Sequence, residues 1–223
     1  MILLILAILI ALIVSYGSSV IIHDRIEYNI NNLGSPYFFN CPTYIFKVTG
    51  VTVASALLVI FPLINNLSGL IFTSIFIGFL VIVSIVDLKT RIINDSLLLK
   101  STLIFAFAPY LNVKGTLQQY ESYAEGIWGA VGVFLLAIIS INVAEKISKK
   151  KVNIGGGDIK IFVPLGLMLG YHAALNVLIL SCFISPAFWL IYMKYKKVKI
   201  STFPMAPSIC LISFVFYVYS YFN

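Results

Sequence analysis

Long stretches of this chain carry no polar punctuation. "ILLILAILIALIV", "IFIGFLVIVSIV" and "FVFYVYSYF" neither alternate apolar with polar nor leave a polar face at a spacing of 3.6. A half-buried strand would show the first pattern and a surface helix of a soluble domain the second. Runs apolar all round fit helices surrounded by lipid, which need about 20 mostly apolar residues to cross. Eight such segments emerge: 2–21, 45–64, 66–86, 96–112, 126–144, 159–172, 174–193 and 204–221. Pro62, Asn65, Asn66 and Gly69 read as a tight turn between the second and third. Residues 159–193 form one run of 35. As a single helix it would be about 52 Å long, against a hydrocarbon core of about 30 Å. The run must fold back, and "GYH" at Gly170–His172 is where it does so, leaving the 159–172 limb short. The expectation is an all-α polytopic integral membrane protein, one domain over 1–223 with about eight transmembrane helices.

Composition agrees. The 223 residues are 61% hydrophobic and 10% charged, whereas soluble domains are about 45–50% apolar and about 25% charged. The mean hydropathy is +1.03. The first segment lacks the basic start of a signal peptide and its apolar run is too long for one, so it reads as an uncleaved span. The formal net charge of +7 would suggest nucleic acid in a soluble protein; here its distribution matters more. With the eight segments in place, fourteen of the fifteen basic residues fall in one set of loops and Lys114 alone in the other. By the positive-inside rule the basic loops face the cytoplasm and both termini face outward. This is a reading with membrane lipid as neighbour and no nucleic acid. The cysteines Cys41, Cys182 and Cys210 are far apart and form neither a disulfide framework nor a zinc pattern. Cys182 and Cys210 lie in apolar runs as packing residues.

Only eight residues are acidic. Glu121 and Glu125 fall in an outer loop, Asp24 and Glu27 flank Arg25, Glu145 neighbours lysines, and Asp95 suits a helix N-cap. Asp87, in "IVSIVDLKTR", and Asp158, in "NIGGGDIK", remain. They are 71 positions apart, yet the topology places both at the cytoplasmic membrane boundary. Ionisable groups there are costly and are functional candidates. Two neighbouring carboxylates share one proton. One then draws a proton from water while the other hydrogen-bonds the carbonyl under attack, with no metal needed. Gly155, Gly156 and Gly157 would let a substrate strand approach the backbone and would permit positive φ before the helix. A re-entry turn fits the same glycines, and an interfacial ion pair with Lys89 or Arg91 fits Asp87. A phosphate loop does not fit, because its Lys-Ser/Thr is absent.

Four segments, in order, resemble the type IV prepilin peptidases, which are GxGD-type membrane aspartic proteases. They are "GSSVIIHDRI" at 17–26, "DLKTRIIND" at 87–95, "GGGDIKIFVPLGLMLG" at 155–170 and "ISTFPMAPSI" at 200–209. The resemblance implies Asp87 and Asp158 as the catalytic pair, Gly155 and Gly157 as the motif glycines, and Lys160 as a supporting residue. It implies prepilins or type II secretion pseudopilins as partners. Their short basic leader would be cut at the cytoplasmic face of a bacterial inner membrane. Three departures matter. Ile93 and Asn94 stand where isoleucine and proline are common. The first cytoplasmic loop, 22–46, carries Cys41 alone, so no metal is expected there. "YIFKVTGVTV" lacks the glutamate that opens the second span in members that also methylate the new N-terminus. S-adenosylmethionine is implied only if that methyltransferase activity is retained. Another GxGD protease of the preflagellin kind, a proton-coupled transporter using boundary carboxylates, and a non-catalytic assembly protein are the competing readings. The oligomeric state is not readable.

Overall fold

The computed structural model describes most of residues 10–27, and residues 67–107, 123–148, 156–196 and 204–219. Almost all of them are helical and none is in a strand. The elements are α1 (Leu67–Thr90), α2 (Asp95–Ala106), α3 (Tyr123–Ser148), α4 (Gly156–Lys160), α5 (Phe162–Lys196) and α6 (Ala206–Tyr219). The segment at 45–64, with Lys47, and Cys41 before it lie outside the described residues. The described residues of the first segment are helical, and the helix continues through 27, past the boundary expected at 21.

Among the described residues, three helices are long and apolar enough to cross a membrane: α1, α3 and α5. The core explains which of them sits centrally. Along α1 the side chains of Phe76, Ile77, Leu80, Val83 and Val86 are buried. By contrast α3 exposes Trp128, Val131, Leu135 and Ile139, and α5 exposes Phe183, Phe188, Leu190 and Ile191. Large apolar residues displayed contiguously suit hydrocarbon rather than water. So α1 runs through the bundle, while α3 and α5 present faces to lipid.

Helix α1 packs antiparallel to α6. At one end the Ala206 amide meets Asp87, and towards the other the Thr73 and Tyr217 hydroxyls hydrogen-bond. Phe105 of α2 packs edge-on against Phe76 and Phe79 of α1, with centroids 5.7 and 5.5 Å apart. The N-terminal helix crosses α1 at Gly78, where a Cβ would lie 2.9 Å from Val14 Cγ1.

Helix α5 is continuous in hydrogen-bonding pattern except at Gly170, whose φ of 77° and ψ of 173° are not helical. The neighbours along α3 show that the chain reverses there. Gly129 packs against the backbone of Gly166, Gly170 and Tyr171, and Gly132 against the Tyr171 ring. Further along α3, Ala137 and Ile141 share a cavity with Asp158 and Phe162 and also with Leu178 and Cys182. Residues before and after Gly170 therefore return to one level of α3, which makes 156–196 a helical hairpin with Gly170 at its tip. Glycine supplies the left-handed φ at no steric cost. The fold-back expected at 170–172 is thus borne out. Its first limb continues across Ile161 through Ile161 N–H donating to Gly157 O and Leu165 N–H to Ile161 O, each 3.2 Å. From 156 to 169 that limb is about 21 Å long at 1.5 Å per residue, too short to cross a hydrocarbon core of about 30 Å.

The hairpin is pinned near its tip by a backbone-to-backbone crossing. A Cβ on Gly166 would lie 2.3–2.4 Å from Gly129 C and O and Ala130 N. Only paired glycines allow two helices to approach that closely, the usual device of helix pairs in lipid.

Candidate active site

Asp87 sits in the last turn of α1, with only 3% of its surface exposed. The helix ends three residues later, at Thr90. Arg91 N–H donates to Asp87 O at 2.9 Å, and Arg91 adopts a left-handed φ of 54°. That position after a helix normally belongs to glycine. The turn throws residues 92–94 across the end of the bundle. Asn94 is the N-cap of α2, its Oδ1 accepting from Ser96 N–H at 2.9 Å. The asparagine therefore supplies a side-chain acceptor that a proline at this position would lack. The cap falls on Asn94 and not on Asp95, one residue away from the sequence expectation, because Asp95 is already the first helical residue.

The redirected turn carries Ile93 onto α4. A Cβ on Gly157 would lie 3.0 Å from Ile93 Cβ, so glycine is needed for that contact. Lys160, at the end of α4, holds Asp95 with both carboxylate oxygens, 2.8 Å to Oδ1 and 2.7 Å to Oδ2. The supporting lysine thus engages Asp95. Two segments remote in sequence are latched together by an apolar contact and an ion pair, and Asp158 lies between the two latches.

Of the three glycines before Asp158, Gly155 is outside the described residues. Gly156 and Gly157 are the first two residues of α4, and the positive φ expected among the three is found among described glycines only at Gly170. A Cβ on Gly156 would meet nothing within 4 Å.

The two carboxyl groups are in different surroundings. Asp87 Oδ2 accepts from Ala206 N–H at 3.1 Å. Ala206 is the first residue of α6, so Asp87 takes one of the amides that a helix N-terminus leaves unpaired. Met205 precedes it and caps only with its carbonyl, which accepts from Ser208 and Ile209. Met205 has no side-chain acceptor, and Asp87 supplies one from another helix. The segment is held from behind by Trp189, whose Nε1–H donates to Pro204 O at 3.0 Å. Asp158 has no such donor: its Oδ1 is buried without a hydrogen-bond partner among the described residues. Burial, and secondly the Asp87 charge, push the Asp158 carboxyl up to about 8. Arg91 is drawn below its usual range by burial, a shift opposed by the charge of Asp87.

An apolar cavity of about 390 Å³ opens beside Asp158, between α3, α5 and the start of α6. Cys182 lines it and is exposed, whereas Cys210 is buried. The packing role expected of both cysteines therefore holds for Cys210 only. Sequence reasoning also missed the Ala206 amide, Trp189 and the Gly129–Gly166 crossing. "FPMAP" was the one signal for Ala206, since a proline just inside a helix start marks where free amides lie. No group of three or more potential metal ligands occurs among the described residues.

The architecture is that of a helical membrane protein with two carboxyl groups near one end of its bundle, close enough that the charge of Asp87 acts on Asp158. Residues 74–190, a little over half of the chain, match the type IV leader peptidase family, and the chain belongs to that family. A prepilin leader peptidase/N-methyltransferase of Bacillus subtilis (strain 168) is 27% identical over 150 residues. That match covers 65% of this chain, and the chain spans about half of the relative's length (54%). No solved structure matches.

Proposed function

We propose that the chain is an aspartic endopeptidase that removes the short basic leader of type IV prepilins or pseudopilins, with Asp87 and Asp158 as its catalytic pair. The observation that carries the reading is the nearness of these two acids, one donated to by a helix N-terminus and the other with a buried, unpartnered oxygen. That asymmetry divides the labour. Asp87 is the carboxylate: it takes a proton from water, and the water oxygen attacks the scissile carbonyl carbon. Asp158 is the acid: its O–H donates to the carbonyl oxygen, on which negative charge builds. Collapse breaks the C–N bond, the leaving nitrogen takes a proton and the pair returns to sharing one. On this reading the active end faces the cytoplasm, because Lys89, Arg91 and Lys160, close in sequence to the two acids, belong to the basic set that the positive-inside rule turns inward.

Cleavage of a purified prepilin in detergent, followed by the shorter band on a gel, tests the reading. Asp87→Asn and Asp158→Asn should each abolish the band with expression intact. A variant still cutting at near wild-type rate rejects the pair.

The relative's name supports a second activity, N-methylation of the new N-terminus. The described donor set does not fit S-adenosylmethionine: the cavity is apolar apart from Asp158, Ser140 and Ser181, and offers no cradle for an adenosine. No step is routed through it. The mass of the product N-terminus, with and without the added donor, decides that activity.

A further inference from the structure

Helix α1 ends on a backbone conformation that arginine supplies at a cost. Arg91 has a φ of 54°, and among the described residues it is the one non-glycine in that region. Its amide closes the helix on Asp87 O at 2.9 Å. In the left-handed region a side chain crowds the following carbonyl, a cost that glycine does not bear. Glycine would make the same turn and send residues 92–94 the same way, so the turn does not explain the arginine. Strain of this kind gathers where a residue has a functional task.

What the arginine adds is a charge, and it adds it beside Asp87. The half-buried Arg91 guanidinium and the buried Asp87 carboxyl act on each other electrostatically. The other elements around that carboxyl bring different groups. From α6 come the Ala206 amide and the buried Cys210 thiol, both uncharged. From α4 comes Asp158, a second acid. The N-terminal helix holds Arg25 against Asp24 at 4.0 Å, and Lys160 is taken up by Asp95. Lys89 shares α1 with Asp87, but side chains two positions apart do not face each other on a helix. Two neighbouring acids compete for one proton, and a cation beside one of them decides which acid gives it up.

We propose that Arg91 is a positioning residue for the reaction: acting through Asp87, its charge keeps that acid ionised and leaves the shared proton on Asp158. The inference rests on the peptidase reading, because where the proton sits matters only if the pair is catalytic. Arg91 thereby assigns base and acid before a substrate arrives. Molecules that hold the proton on Asp87 have no base there for the attacking water.

Three substitutions separate the charge from the backbone. Arg91→Gln keeps the strained conformation and removes the charge. Arg91→Lys keeps both, and Arg91→Gly relieves the strain and removes the charge. For each protein kcat/KM on a purified prepilin would be measured across pH in detergent, together with a melting midpoint. The substrate's own titration is common to all of them. An opposite charge close to a carboxyl moves its titration by about 1–3 pH units, and a half-buried guanidinium, partly screened by water, belongs at the low end. The acid limb should therefore move up by about one pH unit in Arg91→Gln and Arg91→Gly, about a tenfold loss below the limb and none well above it. Arg91→Lys should stay within about threefold of wild type throughout, since a through-space effect needs the charge and not the fork of the guanidinium. Arg91→Gly should melt at or above wild type.

An acid limb that moves in both neutral variants and is restored by lysine, with the glycine variant no less stable than wild type, supports the role. An Arg91→Gln profile that superposes on wild type overturns it. So does a loss that is uniform across pH, or one that lysine shares with glutamine, since each marks a contribution to structure and not to the proton's place. If wild type cuts no prepilin, the peptidase reading fails and this inference with it. Cleavage with unmoved acid limbs removes this inference alone.

Discussion

Two glycines, ten positions apart, should respond in opposite ways to the same added methyl group. At Gly166 a Cβ would sit 2.3–2.4 Å from backbone atoms of Gly129 and Ala130. That is about 1 Å inside the 3.4 Å at which ordinary contact begins. Backbone cannot swing aside as a side chain can, so α3 and the hairpin must separate along their crossing. Overpacking of this kind costs about 1–3 kcal/mol and sometimes more. The lost close contact is itself the attraction that holds helices together in lipid. At Gly156 a Cβ meets nothing, and alanine in a helix is favoured over glycine by roughly 0.5–1 kcal/mol. Gly166→Ala should therefore lower the apparent melting midpoint in detergent by several degrees, at roughly 2–4 °C per kcal/mol for a chain of this size. It should also lower the leader-cleaving rate, because the hairpin carries Asp158 at its open end. Gly156→Ala should melt at or slightly above wild type and still cut. The assay is intrinsic fluorescence against temperature on matched samples. If Gly166→Ala melts with wild type, the hairpin does not cross α3 as described and the fold-back at Gly170 loses its anchor.

The remaining expectations concern the site. Asp158 must hold its proton to act as the acid, so kcat/KM should fall as pH rises through about 8. The stability sign follows from the same shift: with the folded-state value raised, the neutral carboxyl favours the folded state at low pH. That contribution is lost as pH climbs from the unfolded value of about 4 to about 8; a cleavage profile and a melting series across that window check both. Lys160→Ala should reduce cleavage only a few-fold, since an exposed pair is worth about 0–1 kcal/mol. Reversing both charges, Asp95→Lys with Lys160→Asp, should recover most of it where Lys160→Asp alone does not. Trp189→Phe keeps a ring but removes the donor to Pro204 O, and should lower kcat with KM little changed, because the Ala206 amide it steadies acts on Asp87 and not on bound substrate.

What could be read from the sequence divides along physical lines. The run at 159–193 had to fold back because its length exceeded the membrane, and a glycine marked the place. Asp87 and Asp158 stood out because ionisable groups are scarce in so apolar a chain, and alternating topology put them at one boundary. Asp95 was misread, since a carboxylate just before a helix looks like a cap until the true cap, Asn94, is seen one residue earlier. The donor to Asp87 is a backbone amide at Ala206, which has no side-chain signature. Gly129 and Gly166 looked like any helix-interior glycines; only the neighbouring backbone reveals why no side chain fits. Cys182 looked like Cys210 because composition does not tell a cavity wall from a core.

Cross-linking tests the convergence of Asp87 and Asp158 most directly. With Cys41, Cys182 and Cys210 replaced by serine or alanine, Asp87→Cys and Asp158→Cys would be combined in one chain. A short bifunctional thiol reagent would then be added in membranes and the linked peptides identified by mass. A link joining 87 to 158, absent when either cysteine is missing, is the expected result. If both thiols react singly with the reagent and never with each other, the two acids do not meet and the proposed catalytic pair is wrong.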